Sequence, residues 1–85
     1  MQESDNIIVN KIIDRARRTV ATRRKQMKLS LRELGDLADV DPNTINDFEA
    51  GKRVIQLEPL IRITIALKID FQELWGDTQD AQKGL

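Results

Sequence analysis

Residues 30–53 read SLRELGDLADVDPNTINDFEAGKR, and the fold turns on how this stretch is punctuated. Ser30 with Glu33 three positions later is a capping box: the serine hydroxyl accepts from the Glu33 backbone N–H, and the Glu33 carboxylate reaches back to the Ser30 amide. A helix opens there, with Leu34, Leu37 and Ala38 expected on its inner face. Asp39 and Val40 make a turn. Asp41 then caps a second helix, its charge favourable at the positive end of the helix dipole, and Pro42 occupies the first helical position, where a missing N–H costs nothing. Ile45 and Phe48 face inward, and Gly51 stands where a left-handed residue closes a helix.

Upstream, Val9, Ile12, Ile13, Ala16, Val20 and Met27 recur at three- and four-residue steps. This spacing predicts one amphipathic helix from about Asn6 to Met27, with a gap in its stripe near Arg23 and a bend or break around Arg17. Downstream, Leu57, Leu60, Ile61, Ile63, Ile65, Ala66 and Leu67 give a fourth helix with a broad apolar face, which tolerates Pro59 because it lies in the first turn. Asp70 with Glu73 repeats the cap pattern and starts a short fifth helix through Phe71, Leu74 and Trp75. No strand pattern, repeat or linker appears. The expectation is an all-α, five-helix single domain over residues 1–78 with a flexible polar tail at 79–85.

Composition narrows the function classes. The 85 residues contain no Cys and no His, which removes thiol chemistry, His-ligated metal and His general-base catalysis. With no nucleophile–base pairing, metal-ligand cluster or phosphate-binding glycine loop, no enzyme, cofactor or metal is expected. The N-terminus lacks the charge and apolar stretch of a signal peptide, and nothing approaches a membrane span, so a cytoplasmic protein without membrane contact is expected. Fourteen basic residues balance fourteen acidic ones, but unevenly along the chain. Lys11 to Arg32 holds nine bases against Asp14, whereas Glu33 to Gly51 holds six acids and no base. Such polarity can present a positive face despite zero net charge; the alternative is two solvated faces that neutralise each other.

Taken together, VATRRKQMKLS, the Leu34, Leu37, Ala38, Val40 spacing, TINDFEAGKR and LEPLIRITIALKIDFQEL resemble the Cro/CI (XRE-like) helix-turn-helix transcriptional regulators. The resemblance runs from about Val20 to Trp75, with the helix-turn-helix at 30–50. It implies a lambda repressor-like DNA-binding domain whose third helix enters the major groove of double-stranded DNA. By position, the base-reading residues would be Pro42, Asn43, Thr44 and Asp47, with Asn46 flanking. Lys28, Ser30, Lys52 and Arg53 would hold phosphates. The resemblance also implies a buried ion pair between Arg24 and Glu49.

Three positions depart from the family pattern. Leu31 replaces the usual Gln and Pro42 a commonly polar residue, so the pair is expected to touch and to press on a thymine methyl, or to be a small exposed apolar contact without a role. Asp47 would accept from cytosine N4 while repelling nearby phosphates, or simply be solvated at the groove edge. Asn43 is the best candidate for direct readout, through an adenine edge.

The apolar surplus at Val54, Ile55, Ile61, Ile65 and Trp75 exceeds what one small core hides and points to a homodimer that reads an inverted repeat. Small controller proteins of restriction-modification systems and regulators of phages and integrative elements are similar in size and layout. Ile7, Ile8, Ile12 and Ile13 lie on an N-terminal extension that reaches flanking phosphates, docks a regulatory protein partner, or is purely structural. The competing function is a protein-interaction module, of antiactivator or antitoxin-like kind, that kept the fold and lost DNA readout.

Overall fold

The computed structural model describes residues 2–76, which form five helices: α1 Glu3–Gln26, α2 Leu31–Ala38, α3 Pro42–Glu49, α4 Leu57–Ala66 and α5 Phe71–Trp75. The tail at 79–85 lies outside the described residues. One core joins the elements: Ala16 and Val20 of α1 meet Leu34 and Ala38 of α2, Ile45 and Phe48 of α3, Leu60 and Ile63 of α4, and Leu74 of α5, with Ile55, Leu67 and Ile69 contributed by connections. α1 packs on α5 and α3, while α2 packs on α3 and α4.

α1 begins at Glu3 rather than Asn6 and runs unbroken through Arg17, where the sequence suggests a bend. The early start has a local cause. The Asp5 carboxylate accepts from the Gln2 backbone N–H at 3.3 Å, and Glu3 and Asp5 sit at the positive end of the helix dipole. Within this unbroken stretch Arg17 pairs with Asp14 one turn back.

Helix ends are set by left-handed residues, and only one of these is the expected glycine. Gly51 closes α3 at φ 75°, with Lys52 N–H donating to the Asp47 carbonyl at 2.8 Å. The same closure occurs at Lys28 after α1 and Lys68 after α4, where Leu29 N–H reaches the Arg24 carbonyl and Ile69 N–H reaches that of Thr64. At both lysines the next residue, Leu29 or Ile69, is apolar and packs on the core, which compensates for the strain of a non-glycine residue in that region.

Leu37 departs from expectation: it is 63% exposed, not inward. α2 is rotated so that Leu34, Gly35 and Ala38 face the core. Gly35 decides this rotation because the next helix comes too close for a side chain. A Cβ there would stand 2.6 Å from the Val40 carbonyl oxygen and 3.0 Å from the Pro42 ring. α4 likewise turns Leu60 and Ile63 inward and leaves Leu57, Ile61 and Ile65 toward solvent. Thr64, buried on the inner side, satisfies its hydroxyl by donating to the Ile61 carbonyl at 2.7 Å.

Replacing glycine by alanine in a helix usually stabilises it. Gly35→Ala should do the reverse, because overpacking at this site costs about 1–3 kcal/mol and outweighs the helix-propensity gain of about 1 kcal/mol. Thermal melts followed by circular dichroism check the sign: an unchanged or raised Tm contradicts the close approach of α2 and α3.

Candidate nucleic-acid interface

The surface built by α2, α3 and their flanking turns starts from caps. Ser30 Oγ accepts from Glu33 N–H at 2.9 Å, and the Glu33 carboxylate accepts from Ser30 N–H at 3.0 Å. These bonds from the Ser30 backbone and hydroxyl hold the Glu33 carboxyl below its ordinary pKa. Asp41 Oδ1 accepts from Asn43 N–H at 2.8 Å, with Pro42 in the first turn behind it. The α2–α3 turn is made by Asp39 in the left-handed conformation, with Val40 N–H donating to the Gly35 carbonyl.

With Ile45 and Phe48 held in the core, the opposite face of α3 is fixed. Asn43 and Asn46 are exposed on it, and Pro42, Thr44 and Asp47 are half-buried. The Pro42 ring lies over Gly35, while Leu31 packs against the core cluster. Lys28, Ser30, Lys52 and Arg53 are all exposed, at the end of α1, the start of α2 and the end of α3.

Behind this face, Arg24 spends its guanidinium on three acceptor oxygens of two residues. Nε and Nη2 donate to the two Glu49 carboxylate oxygens, each at 2.8 Å, and Nη1 donates to the Leu29 carbonyl, also at 2.8 Å. The side chains are 12% and 9% exposed. The bidentate bond to Glu49 raises the Arg24 pKa, against the effect of burial, so the guanidinium keeps its charge at any ordinary pH. One side chain thus ties α1, the approach to α2 and the end of α3.

Five of the six acids in residues 33–51 have local partners, and the sixth, Asp36, is exposed. Glu33 and Asp41 are caps and Glu49 is clamped. Asp47 faces Arg53, whose Nε lies 3.8 Å from its carboxylate and whose Nη1 donates to Thr44 Oγ1 at 3.4 Å. Arg53 therefore lies across α3 in the free chain. Asp39 and Glu58 both face Arg62, on α4.

Several of the nine bases in residues 11–32 serve the fold instead of a positive face. Arg17 pairs with Asp14 and reaches the Glu49 carbonyl, and Arg23 donates to the Leu67 and Lys68 carbonyls at 3.0 Å and pairs with Glu73. Arg15 and Thr19 donate to the Glu73 carbonyl at 3.4 Å. A groove between α1 and α5, lined by Arg15, Arg18, Thr22, Arg23 and Glu73, includes no residue of α2 or α3.

Of the residues assigned to a dimer surface, Val54 and Ile65 are strongly exposed and Ile61 moderately so. Ile55 must be withdrawn from that surface: it is 8% exposed and belongs to the core cluster with Phe48 and Leu60. Trp75 is half-buried against the core, leaving part of its ring at the surface. Leu57 and Phe71 are exposed as well, although helical spacing alone reads them as inner positions. Gly35, Arg23 and Arg62 escaped notice; only tertiary partners reveal their roles.

The sequence model described as "Helix-turn-helix" matches residues 20–74. Comparison with curated proteins and with solved structures returned no match.

Removing Arg24 strands a nearly buried carboxylate and the Leu29 carbonyl. Arg24→Ala should therefore cost about 3–5 kcal/mol, whereas Arg53→Ala, at a surface pair, should cost no more than about 1 kcal/mol. Denaturant melts of the two variants against the parent chain test this contrast. A second measurement concerns pH. Because the Glu33 pKa is depressed in the folded chain, its contribution is present above the unfolded value of about 4.3 and is lost as pH falls through the folded value. The stability gap between the parent chain and Glu33→Gln should narrow on acidification; a constant gap contradicts a charged cap.

Proposed function

Because the chain belongs to the Cro/CI-type helix-turn-helix family of DNA-binding transcription regulators, we propose that it recognises an inverted-repeat operator as a homodimer, each copy laying α3 in the major groove. The observation that carries this reading is the division of α3. Ile45, Phe48 and Glu49 anchor it from behind, and Asn43 and Asn46 stand outward beside Pro42, Thr44 and Asp47. Asn43 is the principal reader, since a carboxamide both donates to and accepts from an adenine edge, contributing about 1–3 kcal/mol of discrimination when bidentate. Pro42 and the Thr44 methyl suit a thymine methyl, and Asp47 suits cytosine N4. Arg53 offsets the repulsion between Asp47 and phosphates by keeping a cation against that carboxylate. Lys28, Ser30, Lys52 and Arg53 fix register on the backbone, and Arg24 with Glu49 is the structural clamp.

The dimer in this reading forms through Val54, Ile61 and Ile65, with the exposed part of Trp75. A two-fold arrangement would set the two α3 helices one DNA turn, about 34 Å, apart. Leu37, Leu57 and Phe71 add exposed apolar surface near the same elements, and this favours a second reading in which the domain serves as a protein-interaction module.

Binding to a randomised duplex library, followed by titration of the selected site and of a scrambled duplex across several salt concentrations, tests the first reading. It requires a steep salt slope and a preference of several kcal/mol for one sequence. Lys52→Ala should weaken both duplexes alike and reduce the slope by about one, whereas Asn43→Ala should lose about 1–3 kcal/mol on the selected site alone. Asp47→Ala should broaden the selected sequences while binding persists. Absence of both slope and preference rejects DNA reading and favours the interaction module.

A further inference from the structure

By its place in the family Arg53 belongs to the phosphate contacts, yet its side chain turns back over α3. The turn after the helix sets this up. Gly51, in the left-handed conformation, lets Lys52 N–H return to the Asp47 carbonyl at 2.8 Å, so Arg53 begins beside the last turn of α3. From there its guanidinium reaches two side chains: Nε lies 3.8 Å from Asp47 Oδ2, and Nη1 donates to Thr44 Oγ1 at 3.4 Å. Thr44 and Asp47 are three residues apart and so neighbours on one side of the helix. Asp47 also follows Asn43 by four residues, on the face turned away from Ile45 and Phe48.

These contacts leave part of each group for another molecule. Among the described residues Asp47 Oδ1 and Arg53 Nη2 make no hydrogen bond, and the two side chains are 34% and 54% exposed. The nearby charges of α1 are committed elsewhere: Asp14 and Arg17, which share a groove with Lys52 and Arg53, pair with each other at 3.0 Å.

A carboxylate only accepts hydrogen bonds, and a guanidinium only donates them. Side by side they form an acceptor edge next to a donor fork. A C·G base pair presents the complement in the major groove, where cytosine N4 donates and guanine O6 and N7 accept. Because N4 and O6 are hydrogen-bonded to each other, that donor and acceptor lie about 3 Å apart, a spacing close to the 3.8 Å between the two protein groups. We propose that Asp47 and Arg53 act as one reader of a single C·G base pair. Asp47 Oδ1 accepts from cytosine N4, while Arg53 donates to guanine through Nη2 and, once released from Thr44, through Nη1. This role rests on the DNA reading above and moves Arg53 from the backbone to a base edge, as a specificity-determining residue.

The pair seen in the free chain prepares the readout, since a long side chain already lying along α3 has less freedom to lose on binding. Its long, solvent-exposed bond to Thr44 is weak and easily given up. Orientation is read as well. With the base pair reversed to G·C, the carboxylate meets two acceptors and the guanidinium an amino donor, so both contacts turn repulsive.

Selection from a randomised duplex library with the parent chain, Asp47→Ala, Arg53→Ala and the double variant tests the pair. Titrations then compare the selected duplex with one in which the C·G pair of one half-site is reversed. The parent chain should select C·G at one position of each half-site and bind the reversed duplex about 5- to 140-fold more weakly. Each single variant should lose most of that preference, at that position and no other. The double variant should lose less than the product of the two, because the groups act together. Arg53→Ala should leave the salt slope nearly unchanged, whereas Lys52→Ala lowers it by about one. Denaturant melts confirm that each variant is folded. Equal weakening by Arg53→Ala on every duplex, with the slope lowered by about one, makes Arg53 a phosphate contact and overturns the pair. Losses at two different positions, or a selected site without a C·G pair that both variants affect, overturn it too. A parent chain with no sequence preference rejects the DNA reading itself and this role with it, whereas a preference untouched by Arg53→Ala rejects this role alone.

Discussion

The bidentate contact of Arg24 with Glu49 constrains nearly everything that makes this fold a presenting device. α3 has eight residues, too few to hold its own position by propensity, and its inner face offers only Ile45 and Phe48 to the core. A carboxylate at its last residue, gripped by two guanidinium nitrogens while the third reaches the Leu29 carbonyl, fixes both the roll of α3 and the path of the chain into α2. Such a pair need not add net stability over an apolar equivalent, since desolvating two charges is costly. Its planar, forked geometry supplies orientation, which apolar packing alone specifies poorly.

A second constraint works at the other end of α3. The absence of a side chain at Gly35 lets the Val40 carbonyl and the Pro42 ring close on α2, and Asp39 accepts a left-handed backbone to make the corner. Held at Gly35 in front and at Glu49 behind, α3 has little freedom to rotate. Its outward residues, Asn43 and Asn46, are therefore placed by contacts made on the far side of the helix.

Much of the acidity of residues 33–51 is taken up by partners inside the fold, with Asp36 and Asp39 left at the surface. Glu33 and Asp41 are consumed by backbone amides, Glu49 by Arg24, and Asp47 lies beside Arg53. The bases of α1 show the converse. Arg17, Arg23 and Arg24 turn to carbonyls and carboxylates of α3, α4 and α5, so a tally of positive charge along the sequence overstates what reaches solvent.

What the sequence determined by itself was everything governed by neighbours within one or two turns: the caps at Ser30, Asp41 and Asp70, Pro42 in a first turn, Gly51 as a terminator, and five helices in the right order. These follow from backbone donors and acceptors that only nearby residues can satisfy. Arg24 and Glu49 were paired from the family resemblance, not from their own spacing. Tertiary structure decided the roll of α2, which exposes Leu37 through an approach at Gly35; the inward turn of Ile55; and the left-handed ends at Lys28 and Lys68, stabilised by Leu29 and Ile69 on the core. Helical periodicity ranks positions by apolarity around one axis, but which angular sector is covered depends on where other helices arrive, and that distance between backbones is written in no single helix.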